Sequence, residues 1–440
     1  MYSNKQIWNI SYPILLSLLA QNIINVTDTA FLGHVGEVEL GAAGMGGLFY
    51  ISIFTIAFGF SIGSQIVIAR RNGEGRFLEV GPVMMQSITF LMVIALLFVG
   101  ISKVFAPQIM GVLISSDKIL NATMEFLNWR IYGFFFSFIN VMFRAFYIGI
   151  TRTKVLTINA IVMALTNVIL DYVLIFGEFG FPKMGIRGAA IASVIAEASS
   201  IVFFLIYTYI AVDFRKYGLN RWCSFNPKLL KQILSISCFT MLQYFLAMGT
   251  WFLFFVAVER LGQRQLAIAN IVRSVYIVML IPVNSLATSV NTLVSNAIGA
   301  GGIQHVLGII KKVAKLSFGI MLLCTIVTFL FPQAILSIYT NEQALINESV
   351  NSIYVIAIAM LIASVSNVYF NGISGTGNTR AVLIIEIITL VVYITYIFVV
   401  GLILQAPIEI CFGTEIIYYL PLFAGSYIYL KRANWQNKKI

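Results

Sequence analysis

Apolar stretches near or above the length needed to cross a bilayer follow one another along nearly all of a 440-residue chain. That length is about 20 residues for a helix. No other feature restricts the fold as tightly. Charge agrees with it: only 10% of the residues are charged, where a soluble domain carries about 25%, so the chain could not cover its own surface in water. The expected fold class is an all-α polytopic membrane protein. Twelve spans are expected, near 8–32, 44–69, 83–106, 126–150, 155–177, 188–211, 230–258, 266–297, 313–336, 350–373, 381–404 and 409–430. The first is too long for a cleaved signal and carries Pro13, Gln21, Asn25 and Asp28.

Orientation follows from the basic residues, which collect in alternate connections. One side holds Lys5, the Arg70, Arg71 and Arg76 group, Arg152 and Lys154, the run from Arg215 through Arg221 to Lys231, Lys311, Lys312 and Lys315, Arg380, and Lys431 to Lys439. The other holds mostly acids with a few lysines, such as Asp117, Lys118, Glu178, Lys183, Glu342 and Glu348. Both termini are therefore expected in the cytoplasm, with the chain multi-pass in the cell inner membrane. The net charge of +11 is explained by topology, and no nucleic-acid partner is expected. Cys223, Cys238, Cys324 and Cys411 are far apart, with no metal or redox spacing.

The chain repeats itself. Gly36, Leu40 and Ala43 correspond to Gly262, Leu266 and Ala269, an offset of 226. At the same offset the Asn72–Arg76 run meets the glycine-rich Ile298–Gly302, and Thr153-Lys154 meets Thr379-Arg380. Two six-helix halves are expected, residues 1–220 and 221–440, joined by the basic stretch Val212–Lys231. An even number of spans per half gives parallel repeats about a pseudo-twofold axis, a plan used by secondary transporters.

The repeat also serves as an internal control. Asp28 corresponds to Phe254, Asn167 to Tyr393, Asp171 to Ile397, Ser193 to Tyr419 and Asn140 to Ser366. The first half thus holds a polar set that the second half largely replaces by apolar or aromatic residues. Ser17, Gln21, Asn25 and Asp28 share one helix face, as do Asn167 with Asp171, Ser193 with Glu197, and Ser137 with Asn140 and Arg144. An aspartate near mid-bilayer costs roughly 2.5–3.5 kcal/mol on insertion scales. Burial and mutual repulsion disfavour the doubly ionised pair. Asp28, Asn140, Asn167, Asp171 and Ser193 make a plausible all-oxygen site for H⁺ or Na⁺, with Gln21, Asn25 and Glu197 as secondary candidates. Glu386 lies two turns from a span end, from which it can snorkel, and Arg273 can reach the interface or line a cavity. Phe254, Tyr393 and Tyr419 are candidates for an aromatic wall that binds flat lipophilic cations.

These landmarks together resemble the multidrug and toxic compound extrusion (MATE) family of cation-coupled exporters. The resemblance is carried by Tyr12–Gly36 (YPILLSLLAQNIINVTDTAFLGHVG), Asn167–Glu197 (NVILDYVLIFGEFGFPKMGIRGAAIASVIAE), Val294–Gly302 (VSNAIGAGG) and Gly375–Thr379 (GTGNT). It implies two six-helix lobes around a cavity open to one side at a time, and a cation site in the N-lobe at Asp28, Asn167 and Asp171, with Asn140 and Ser193 as further matches. Na⁺ at Asp28, Asn167 and Asp171 is one expectation of the resemblance. It also implies that the helix bends at Pro13 during the cycle. Members with a C-lobe acid pair carry it at places that fall near Ala247–Gly249 and Ala363–Ser364, where this chain has none; this departure resembles the DinF-like branch.

The expected function is export of lipophilic, often cationic drugs or toxic organic compounds by an H⁺- or Na⁺-coupled antiporter. It is not expected to be an enzyme or to need a cofactor, and is expected to act as a monomer in the lipid bilayer. A flippase for lipid-linked oligosaccharides or peptidoglycan precursors is the alternative from the same superfamily. An intramembrane aspartyl protease would also need two membrane aspartates, but its sequence contexts are missing, and a channel would want a filter-like loop.

Overall fold

The computed structural model describes residues 2–220 and 225–437; Arg221, Cys223 and Lys439, named above, lie outside them. Helices account for nearly all of it, with no strand among the described residues. They are α1 (Asn4–Val35), α2 (Glu37–Gly73), α3 (Val80–Leu113), α4 (Asp117–Arg130), α5 (Gly133–Gly149), α6 (Lys154–Phe176) and α7 (Ile186–Ala211) in the first repeat. The second holds α8 (Pro227–Glu259), α9 (Gln263–Gly299), α10 (Val306–Leu330), the short α11 (Pro332–Leu336), α12 (Gln343–Gly375), α13 (Thr379–Ile397) and α14 (Ile408–Arg432). A π-helical turn, Phe398–Ile403, extends α13. Large apolar side chains such as Leu96, Ile169, Leu205, Leu323 and Val391 stand exposed, as expected where the surroundings are hydrocarbon.

Among the described residues, eleven helices are long and apolar enough to cross a membrane. Counted as one broken span, α4 and α5, bent by 54° at their junction, make a twelfth. The repeat reaches down to helix ends. Adding 226 to the bounds of α2, Glu37–Gly73, gives 263–299, the bounds of α9, and the starts of α3 and α4 map onto those of α10 and α12. The bend does not repeat: α12 runs unbroken where α4 and α5 part.

The chain divides into two compact units, Leu16–Ser237 on one side and Met1–Leu15 with Cys238–Ile440 on the other. Compared with the expected halves, the first helix of each repeat is split. The start of α1 belongs with the second repeat, and the start of α8 belongs with the first. Small hydroxyl residues make both joins. Ser11 Oγ donates to Ser289 Oγ at 2.8 Å, and Ser285 Oγ donates to the Ser11 carbonyl at 2.6 Å. Ser237 Oγ donates to the Phe60 carbonyl at 3.2 Å, and a Cβ on Gly63 would come within 2.6 Å of the Ser237 Cα. Small residues let helix backbones approach this closely. Pro13, buried inside α1, lies two residues before the point where that helix changes units.

Candidate functional site

In the first unit, α1 and α6 bring three of the expected site residues together. Asn167 and Asp171 stand one turn apart on α6, and neither is exposed to solvent. Asp28, on the last third of α1, is half-buried and reaches both of them. Yet Oδ1 of Asp28, both oxygens of Asp171 and both amide atoms of Asn167 lack a hydrogen bond of good geometry. Buried polar groups are nearly always satisfied, so a cluster of this kind is suited to a proton or a small cation. Two carboxylates and an amide carbonyl are hard oxygen donors, which fit Na⁺ as well as H⁺.

The other candidates spread outward from that point. Asn140 turns to α7, donating to the Glu197 carbonyl at 2.8 Å and accepting from Ser200 Oγ at 2.9 Å. Ser200 Oγ also lies 2.9 Å from Asn159 Oδ1. Ser193, one turn before Glu197 on α7, is half-buried, and Gln21 and Asn25 on α1 are exposed.

Glu197 sits in a different arrangement, an ion pair with Arg130. Nη2 and Nη1 of Arg130 lie 2.6 and 3.0 Å from the two carboxylate oxygens. The guanidinium stacks over the Tyr50 ring, 3.6 Å from its centre. The Tyr50 hydroxyl is 3.1 Å from Glu197 Oε1 and 2.9 Å from Ser137 Oγ. Forked arginine–carboxylate contacts of this kind are strong and directional. The pair occupies the bend between α4 and α5. Arg130 is the last residue of α4 and Gly133 the first of α5, and a Cβ on Gly133 would meet Arg130, Glu197 and Tyr50 together. Arg130 also acts electrostatically on Asp28. Neither Arg130 nor Tyr50 was expected from the sequence. Arg130 lies near the expected start of the fourth span, where an arginine ordinarily reaches the interface.

The second unit places Phe254, Tyr393 and Tyr419 in its interior, each 3% exposed. Phe254 packs on Phe412, ring centres 5.2 Å apart, and lines a small cavity with Trp251, Arg273, Tyr276 and Glu415. Arg273 lies over the rings of Phe255 and Trp251, at 4.9 and 5.4 Å. Tyr419 and Tyr276 share a hydroxyl–hydroxyl contact of 2.8 Å, and Tyr276 donates to Glu415 at 2.8 Å. Glu386 does not snorkel: it is 1% exposed and accepts from the Tyr418 hydroxyl at 2.8 Å. Arg264, partly exposed, is paired with Glu342 and Glu348, at 2.5 and 2.8 Å.

Comparison with known proteins agrees with this architecture. The MatE family model matches residues 13–173 and 240–399, most of both repeats. The chain therefore belongs to the MATE family, whose members are transporters rather than enzymes, and is a multi-pass membrane protein. A probable multidrug resistance protein NorM of Thermotoga maritima is 26% identical, over 88% of this chain and 83% of the relative. A probable multidrug resistance protein YoeA of Bacillus subtilis is 24% identical, over 75% and 72%. Among solved structures, the Vibrio cholerae MATE transporter VcmN shares the fold with a TM-score of 0.88 at 19% identity, covering 99% of this chain and 98% of that one. A Pyrococcus furiosus transporter of the MOP superfamily gives 0.87 at 18%, over 99% and 97%.

Proposed function

We propose that the protein is a cation-coupled antiporter that exports lipophilic, often cationic organic compounds across the cytoplasmic membrane, with both termini inside the cell. The observation that carries this reading is the meeting of Asp28, Asn167 and Asp171, acids and amide with polar atoms unpaired, inside a membrane transporter. Asp28 and Asp171 bind the coupling ion, H⁺ or Na⁺, Asn167 orients them, and Asn140 and Ser193 support the helices on which they sit. The fold's two units alternate access to the two faces, and ion and substrate favour different arrangements, because a ligand with equal affinity for both states shifts nothing. Swapping one H⁺ or Na⁺ for one monovalent organic cation moves no net charge. The membrane potential, worth about 2.3 kcal/mol per charge per 100 mV, then contributes nothing, and the ion's concentration gradient drives export.

Proteoliposomes given a pH gradient and a Na⁺ gradient separately test the proposal. Ethidium movement should follow one of the two gradients in the wild type and neither in Asp28→Asn. Ethidium transport indifferent to both gradients, or flipping of a fluorescent lipid-linked precursor in its place, would sink the proposal and favour the flippase.

A further inference from the structure

The two units carry one arrangement in two forms. Tyr50 and Tyr276 stand 226 apart, at equivalent places on α2 and α9. Each bonds a glutamate on the last helix of its repeat, Glu197 on α7 and Glu415 on α14. The position equivalent to Arg130 is Ile356, which is 1% exposed and lines the same cavity as Tyr276 and Glu415. Glu197 therefore has a forked cation, and Glu415 has a phenol in its place. Glu386, on α13, likewise has a phenol, Tyr418. Tyr418 and Tyr419 pack with ring centres 4.9 Å apart, and each lies within electrostatic reach of both glutamates.

The groups facing this cluster are few. From α9 come Tyr276 and Arg273, from α13 Glu386 and Tyr393, and from α14 Glu415, Tyr418 and Tyr419. Asn367 on α12 reaches Tyr419, and α8 contributes the rings of Trp251, Phe254 and Phe255. Arg273 engages two of those rings and forms no salt bridge among the described residues. Three buried atoms are left over, one of them Nε of Arg273. The hydroxyl of Tyr393, whose ring meets Tyr418 edge-on at 5.9 Å, has no hydrogen-bond partner among the described residues, and neither has Oε2 of Glu386. Two enclosed ionised carboxylates with no cation paired to either are costly, and unpaired buried atoms beside them mark where a ligand would be held.

We propose that Glu386 and Glu415 form a second ion-binding site, in the second unit, whose ligand is the proton. Each carboxylate takes a proton from water and returns it, with no other bond made or broken. Tyrosine hydroxyls can donate or accept, so the Tyr419–Tyr276–Glu415 chain serves both states. Its hydroxyls point toward Glu415 when the carboxylate is ionised, and Tyr276 accepts when it is protonated. With a phenol hydroxyl already bonded to each carboxylate, a proton is taken up without displacing it, which is why H⁺ is the ligand proposed. The site is additional to the one at Asp28 and Asp171 and stands whether or not that one couples transport.

Infrared spectroscopy of the purified full-length protein in nanodiscs tests it, reading the protonated-carboxyl stretch as pH is varied. The background is Asp28→Asn/Asp171→Asn, so failure of the first-unit site cannot imitate failure of this one. A titrating carboxyl component should remain in that background. It should lose about half its amplitude, one acid of the pair, in Glu386→Gln or Glu415→Gln, and vanish when both are replaced. Tyr276→Phe, which keeps the volume and removes one hydroxyl, should move the midpoint by about one pH unit, a typical scale for losing a hydrogen bond to one protonation state. The absence of a titrating component in the background would overturn the proposal, as would one that none of these replacements alters. If the variant lacking both acids cannot be purified, the single variants and Tyr276→Phe decide by the same criteria.

Discussion

The two units solve the problem of a membrane-buried glutamate differently. In the first, Glu197 is neutralised by Arg130 across a 54° bend that Gly133 leaves open. In the second, Ala359 stands where Gly133 would be, Ile356 where Arg130 would be, and the helix is unbroken. Glu415 is left with a tyrosine. A fixed ion pair is a structural element, since its charge is cancelled in place. An acid held by hydroxyls alone keeps the ability to change its charge. In the proposed function the first unit leaves Asp28 and Asp171 for ion exchange, while Glu197, paired with Arg130, holds α4 against α7. One template has kept α2 and α9 at 37 residues each while the electrostatics around them differ.

Replacing the acids that remain free should have the largest effect. Asp28→Asn and Asp171→Asn should each abolish coupled export at wild-type expression and thermal stability, measured by drug resistance and proteoliposome uptake. Near-normal resistance in both would remove the functional half of the contrast. Breaking the ion pair should act on stability instead. Arg130→Gln leaves Glu197 buried and unpaired, which typically costs 3–5 kcal/mol, and thermal unfolding in detergent should show a clear fall in midpoint. Arg130→Gln combined with Glu197→Gln should recover most of that loss. If the double variant were as unstable as the single one, the pair would be valued for something other than charge cancellation.

A smaller effect is expected at Pro13, two residues before α1 passes from one unit to the other. Its missing N–H weakens the helix there. Pro13→Ala should slow turnover several-fold, a change of about 1 kcal/mol in the barrier, and leave ion binding intact. Unchanged turnover would show that the split of α1 does not move. Tyr419→Ala and Tyr393→Ala should alter which drugs are exported while leaving the coupling proposed at Asp28 and Asp171 in place, as measured by resistance profiles against a panel of cations. An unaltered profile would take these residues out of substrate recognition. The smallest effect is expected at Arg264. Its pairs with Glu342 and Glu348 are solvent-exposed, and exposed pairs are screened and contribute little. Arg264→Ala should leave both the unfolding midpoint and transport unchanged, in contrast to Arg130→Gln.

Long apolar runs, few charges and a repeat offset were enough to determine the helical membrane fold and its two-part plan, because hydrocarbon leaves a chain few alternatives. They were also enough to single out Asp28, Asn167 and Asp171. A carboxylate at that depth stands out against its background, and the second repeat shows that the helix can do without it. The equivalence of Tyr50 and Tyr276 was visible at the same offset, but its meaning was not. Only tertiary structure decided which acids are neutralised. Arg130 and Glu197 are 67 residues apart, and no periodicity on either helix points to the other. Glu386 looked close enough to a span end to reach water, and only packing against Tyr418 shows it enclosed. The split of α1 and α8 between units was equally hidden. A helix presents the same local pattern whichever neighbour it packs against, and its partners are chosen by contacts between residues hundreds of positions apart, such as Ser11 with Ser289.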